Sequence, residues 1–89
     1  MALRILSAPG TSEALLNDLR SSIENAIEGA KVDVSGTGAG HFEICVMSKI
    51  FAGKSRLKQQ QLVYSAIAHL MKGDTAPVHA IDRLQTLVP

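Results

Sequence analysis

Three kinds of side chain in this 89-residue sequence could do chemistry: imidazoles, a single thiol and a short run of cations. His41 follows the glycine-rich stretch Gly36-Thr37-Gly38-Ala39-Gly40, and His79 follows Pro77-Val78. Both fall at the edges of predicted strands, where an imidazole can reach a metal. Spacing alone does not make two histidines a metal site, and an ordinary structural role is the plainer reading of each. His69 lies on the wet side of a predicted helix and reads as solvated. Cys45 shares a predicted strand face with His41, which permits a cysteine–histidine pair. Nucleophilic catalysis also needs a positioned thiolate, an oxyanion site and a pocket, none of which is visible in the sequence. Cys45 reads more simply as a small, partly buried apolar residue.

The cations are Lys49, Lys54, Arg56 and Lys58, in a stretch without an acidic residue. The last of them sit at or near the start of a long helix. A helix N-terminus already carries about half a positive charge, so each cation there costs on the order of a few tenths of a kcal/mol. An acidic surface, a peptide carboxylate or a phosphate would relieve that cost, and a solvated basic face is the alternative. The elements around Gly53 superficially resemble a helix-turn-helix, but the turn before the long helix is too short for that geometry. The glycine-rich stretch links two strands, whereas nucleotide loops run from a strand into a helix. It therefore reads as a permissive hairpin turn, with a mobile loop that swings His41 towards a ligand as the sharper alternative.

The elements that must position these residues are legible in order. Leu15, Leu16, Leu19, Ile23, Ala26 and Ile27 recur at helical spacing, with Thr11 or Ser12 as N-cap, Glu13 in the first turn and Gly29 closing the end. Lys31–Ser35 and His41–Met47 alternate as strands, the second placing Phe42, Ile44 and Val46 on a core face and His41, Glu43, Cys45 and Met47 on the other. Ser48 caps a single turn holding Ile50 and Phe51, which Gly53 ends. Ser55 then caps a helix that turns Leu57, Tyr64, Ile67, Leu70 and Met71 inward and Lys58, Ser65, His69 and Lys72 outward, and Gly73-Asp74 stops it. Val78–Leu87 is a last strand of imperfect alternation. Residues 1–10 carry no clear period and read as a short extension, followed by one domain over residues 11–89.

Composition narrows the function classes. Hydrophobic residues at 46% and charged residues at 19% are ordinary for a globular domain. There is no tryptophan, and Phe42, Phe51 and Tyr64 are the aromatics, so the core is aliphatic and stacking platforms for bases are scarce. A single cysteine excludes an internal disulfide and a multi-cysteine zinc site, which favours a reducing compartment and makes the cytoplasm the expectation. No apolar run approaches the roughly 20 residues of a membrane span, and Met1–Pro9 lacks the apolar core of a secretory signal. A net charge of +1 gives no global field to attract nucleic acid.

Four separated blocks, read together, resemble the BolA family. They are Gly-His-Phe-Glu-Ile at Gly40–Ile44, Ser48 with Phe51-Ala-Gly-Lys-Ser-Arg ending at Arg56, Gln-Gln-Leu-Val-Tyr ending at Tyr64, and Val-His-Ala-Ile at Val78–Ile81. The likeness covers nearly the whole domain from Thr11 and is closest to the bacterial acid-stress branch. It implies a BolA-like, class II KH-like α/β fold of order α-β-β-(short helical turn)-α-β, with a three-stranded sheet covered by helices on one face. A KH domain's Gly-x-x-Gly nucleic-acid loop does not occur here as a four-residue motif.

The resemblance further implies an adaptor rather than an enzyme, paired with a monothiol glutaredoxin either through a shared [2Fe–2S] cluster or without one, in iron–sulfur trafficking or in sensing iron or stress. His79 matches the family's C-terminal histidine ligand, and His41 is the candidate for the second ligand, near the loop between the first two strands. The glutaredoxin cysteine and glutathione would fill the other positions. Neutral imidazoles in place of thiolates raise a cluster's potential and make its affinity sensitive to pH. The isolated chain is expected to hold no cluster tightly and to be a monomer or weak homodimer, away from membranes. Under this resemblance Lys49, Lys54, Arg56 and Lys58 dock an acidic glutaredoxin surface or, as the second choice, contact DNA, as in family members that regulate transcription. The final strand is a residue longer than the family's usual ending near Asp82-Arg83, so a bulge is expected there.

Overall fold

The computed structural model describes residues 12–89. The expected extension over residues 1–10, and Thr11 where the domain was expected to begin, lie outside them. Helix α1 spans Glu13–Ala26, capped by Ser12, whose hydroxyl accepts the Leu15 N–H at 3.0 Å. It buries Leu16, Leu19 and Ile23, and Ile27 extends the apolar stripe just past its end. Ala26, the last residue of the helix, is exposed although it lies on the same side as Leu19. Gly29, at φ 67°, turns the chain into the sheet.

Strand β1 covers Lys31–Gly38, three residues beyond the expected end, and β2 covers His41–Met47 as expected. Ser48 caps a 3-10 turn at Lys49–Phe51, and Ser55 caps helix α2, Arg56–Ile67, by accepting the Lys58 N–H at 3.1 Å. A second 3-10 turn, Ala68–Leu70, leads towards strand β3, Ala80–Leu87. The sheet order is β1-β2-β3, with β1 and β2 antiparallel and β2 and β3 parallel. Both helices cover one face, and Phe42, Ile44 and Val46 of the central strand pack there as their alternation requires. Full burial of each such side chain is worth about 1.5–3 kcal/mol, so the middle strand anchors the domain.

Three expectations need correction. The buried stripe of α2 runs through Val63 and Ile67, with Leu70 and Met71 partly buried beyond it, while Leu57 is 65% and Tyr64 39% exposed. The stripe continues back at a four-residue interval to Gln59, a polar residue, so apolar periodicity does not mark the inward face. Regular α-helix ends at Ile67 and tightens into the 3-10 turn instead of running to Gly73-Asp74. Strand β3 begins at Ala80, leaving Val78 as a buried anchor and His79 just ahead of the strand.

The expected bulge is present. On the β2–β3 ladder, Phe42 pairs with Ile81 but Glu43 pairs with Arg83, so Asp82 is the extra residue. A second bulge on β1 makes Thr37 extra, since Gly36 pairs with Phe42 and Gly38 with His41. Both irregularities flank the start of β2. Among the described residues no helix is long and apolar enough to cross a membrane.

Candidate functional site

The start of β2 gathers both singled-out histidines around one glycine. Gly40 has φ 75°, which favours glycine, and its carbonyl accepts the backbone N–H groups of His79 at 2.8 Å and Ala80 at 3.1 Å. A Cβ at Gly40 would stand 2.7 Å from Cδ2 of His79, so the imidazole occupies the space a side chain there would fill. His41 follows directly and pairs with Ala80 across the parallel ladder. The glycine before His41 thus also seats His79, a link between residues 39 positions apart that spacing does not reveal.

The two imidazoles are held differently. His79 is exposed and is fixed through its backbone and through ring contact with Gly40, beside a shallow recess lined by Met71, Gly73, Asp74, Ala76 and Val78. His41 is held by its side chain, with Nδ1 2.9 Å from Asp82 Oδ1 and the two side chains 47% and 42% exposed. Thr37 donates its hydroxyl to the other carboxylate oxygen, Oδ2, at 2.7 Å. The hydrogen bond from His41, and then that from Thr37, hold the Asp82 carboxyl below its usual range against an opposing effect of desolvation, with the charge interaction with His41 the least of the contributions. The sequence placed a surplus residue near Asp82-Arg83 but did not reveal this contact. Thr37 was passed over as part of a flexible turn, and the hydroxyl in an otherwise glycine and alanine stretch was its available signal.

Cys45 is half-buried on the same strand face as His41, as expected. Four residues of strand separate them by about 13 Å, so the thiol and that imidazole cannot form a catalytic pair. Cys45 instead lies between Asp33 on β1 and Gln85 on β3. His69 is exposed, and its Nε2 is 3.3 Å from Ser22 Oγ, a tie between α1 and the turn after α2.

The basic residues lie at the opposite end of the sheet. Lys49, Lys54, Arg56 and Lys58 are all exposed, and the first turn of α2 contains no acidic residue. None of them forms an ion pair among the described residues, although Lys54 donates from Nζ to the Ile50 carbonyl at 2.9 Å. Arg83 of β3 joins Arg56 in lining a groove with Gln60, Gln85 and Thr86, a basic contribution the sequence reading did not count. The entry of α2 is held by Gln59, whose amide donates to the carbonyls of Phe51 and Lys54, both at 3.0 Å, and accepts from Thr86 Oγ1 at 2.6 Å. Ser48, buried at the end of β2, ties the same region to the Glu28 carbonyl at 2.9 Å.

This arrangement of sheet and helices defines a class of small α/β domain seen in BolA proteins. A Bol-like protein of Babesia bovis superposes with a TM-score of 0.66 at 28% identity, over 88% of each chain. The BolA domain of SufE1 from Arabidopsis thaliana superposes with a TM-score of 0.73 over 89% of this chain and 96% of that one, and at 20% identity it speaks for the fold alone. The family profile described as BolA-like protein matches residues 13–89, and the chain belongs to that family. It is also 34% identical over 66 residues to the acid stress protein IbaG of Escherichia coli K12, covering 74% of this chain and 75% of that one.

Proposed function

We propose that the protein is a non-enzymatic adaptor that pairs with a monothiol glutaredoxin and contributes His79 and His41 to a shared [2Fe–2S] cluster. The observation that carries this reading is Gly40: it seats the His79 ring and immediately precedes His41, so two exposed imidazoles are held at one end of the sheet. The donor set fits such a centre, since neutral imidazoles ligate iron and replace thiolates in clusters of raised potential. Among the described residues no group of three or more His, Cys, Asp or Glu is arranged to hold a metal ion. As the family resemblance implies, the cluster's remaining ligands would be the glutaredoxin cysteine and glutathione. Bound there, it would supply an electron-accepting or transferable iron–sulfur unit, while this chain supplies orientation and selectivity.

The test is co-purification with a monothiol glutaredoxin. A coloured heterodimer with [2Fe–2S] absorption is expected, and His79→Ala should alter that spectrum and shorten the cluster's lifetime. An unchanged spectrum in His79→Ala removes that residue from the coordination shell.

A second reading rests on the cations Lys49, Lys54, Arg56 and Lys58 at the other end, which form no ion pair among the described residues and suit a polyanionic surface. In that case the protein contacts DNA as a stress-response regulator. Binding to duplex DNA must then weaken steeply with added salt and with neutralisation of these residues, and binding that ignores both excludes it.

A further inference from the structure

The two bulges beside the start of β2 do more than bend their strands. Each frees one residue from the pairing pattern, Thr37 on β1 and Asp82 on β3; the Thr37 side chain meets Asp82, and Asp82 meets His41. The contact crosses the full width of the sheet. A hydroxyl from one edge strand fixes one carboxylate oxygen, and the imidazole of the central strand engages the other.

An ionised carboxylate is an acceptor only. The hydrogen bond at 2.9 Å therefore requires a proton on Nδ1 of His41. In the neutral ring that proton leaves the lone pair on Nε2, the nitrogen turned away from Asp82. A carboxylate on one imidazole nitrogen is the usual outer support of a histidine that binds metal through the other, because it selects the tautomer, fixes the ring plane and strengthens the donor. Asp82 is itself held by Thr37, so the support does not rotate freely as an exposed aspartate otherwise would.

We propose that Asp82, steadied by Thr37, is a positioning residue for His41: it keeps the proton on Nδ1 and reserves Nε2 as the donor to a metal centre. This rests on the reading of His41 as a cluster ligand. It adds a residue that touches no metal but decides how well His41 can. The bulge is integral to it, since an uninterrupted β3 would reverse the facing of one flank of the strand and lose the combination of this contact with the buried register beyond it.

The test has two arms. In the free protein, long-range ¹H–¹⁵N NMR of the imidazoles, at a pH where the ring is neutral, should show His41 as the Nδ1–H tautomer. Asp82→Ala should shift it towards Nε2–H, with Thr37→Val shifting it less and Asp82→Asn, which keeps a carbonyl acceptor, partly restoring the native form. The amide fingerprint verifies that each variant is folded. In the glutaredoxin heterodimer, Asp82→Ala should speed loss of the [2Fe–2S] absorption by about 10- to 100-fold, the range typical when an outer-shell partner of a ligand is removed. An unchanged tautomer in folded Asp82→Ala overturns the positioning role. A shifted tautomer with unchanged cluster lifetime also overturns it, and His41→Ala separates the causes. If His41→Ala loses the cluster, the ligand reading stands and only the role of Asp82 falls; if it keeps the cluster, the ligand reading of His41 has failed first.

Discussion

The two ends of β2 are separated by about 20 Å of strand and are built on opposite plans. At the His41 end, functional side chains are fixed by contacts from neighbouring strands: Asp82 on His41, Thr37 on Asp82, Gly40 beneath His79. At the Met47 end the scaffold is fixed and the functional side chains are not. Gln59 joins the entry of α2 to β3 and Ser48 ties the end of β2 to the segment after α1, while Lys49, Arg56 and Lys58 extend into solvent without an ion-pair partner among the described residues. Coordination demands direction, because a lone pair must meet a metal along one axis. Charge attraction does not, because its field is broad and a flexible cation loses little by adjusting. Under the proposed function, this difference in anchoring is what distinguishes a coordinating end from a docking end within one small domain.

The largest effect is expected from Gly40→Ala. Both the φ of 75° and the 2.7 Å approach of a new Cβ to His79 oppose the substitution. Backbone strain of this kind costs about 1–3 kcal/mol, and urea unfolding should show a loss of at least that order together with displaced His79 resonances. Gly53→Ala supplies the contrast, since its φ of 76° is equally unfavourable but nothing lies within 4 Å of its Cβ. If the two variants lose stability equally and His79 does not respond, the seating of His79 by Gly40 is refuted. Gln59→Ala comes next. It leaves the Phe51 and Lys54 carbonyls and the Thr86 hydroxyl short of a partner, and an unmet polar group of this type costs about 1–3 kcal/mol, with the lower half expected at a partly buried site. It should destabilise the domain while leaving the His41 tautomer untouched, and a change in that tautomer would mean the ends are coupled.

The elements were legible because their signals are local. Ser12, Ser48 and Ser55 cap the helical segments they were expected to cap, and strand alternation assigned the faces of β2 correctly from His41 to Met47. The inward face of α2 was legible at Ile67, Leu70 and Met71 but misread at Leu57 and Tyr64, which are exposed, because Gln59 interrupts the apolar stripe. Of the site, the bulge at Asp82 was legible as a surplus residue, but its purpose was not. Which way a bulged side chain turns depends on two ladders at once, and Thr37 and Asp82 are 45 positions apart. Both histidines were identifiable as candidates, whereas their common dependence on Gly40 exists only after β3 has paired beside β2.

Neutralising the docking end should hardly disturb the fold. Single replacements of Lys49, Arg56 or Lys58 by Gln are expected to stay within about 0.5 kcal/mol, the usual range for exposed positions. What should change is the salt dependence of association with an acidic protein surface or with DNA, each lost contact to a phosphate lowering the logarithmic slope by about one. The same substitutions should leave the visible spectrum of a glutaredoxin-bound cluster unaltered. A spectral change from Lys58→Gln would break the division of labour between the two ends.

The smallest effect is a pH dependence at the coordinating end. The Asp82 carboxyl is held below its ordinary value of 3.8, first by the hydrogen bond from His41 and then by that from Thr37. Its folded-state value is therefore lower than its unfolded one. Its contribution to stability is complete above the ordinary carboxylate range and is lost as pH falls through that range to the lowered folded value. Because the pair is exposed, the expected change is small, and its sign is the diagnostic. Urea midpoints measured across the acid range should fall less steeply in Asp82→Asn than in the native protein, and Thr37→Val should lie between them. Were the native and Asp82→Asn curves parallel, the Asp82 contact would be too weak in solution to fix an imidazole, and the coordinating end would be no more ordered than the docking end.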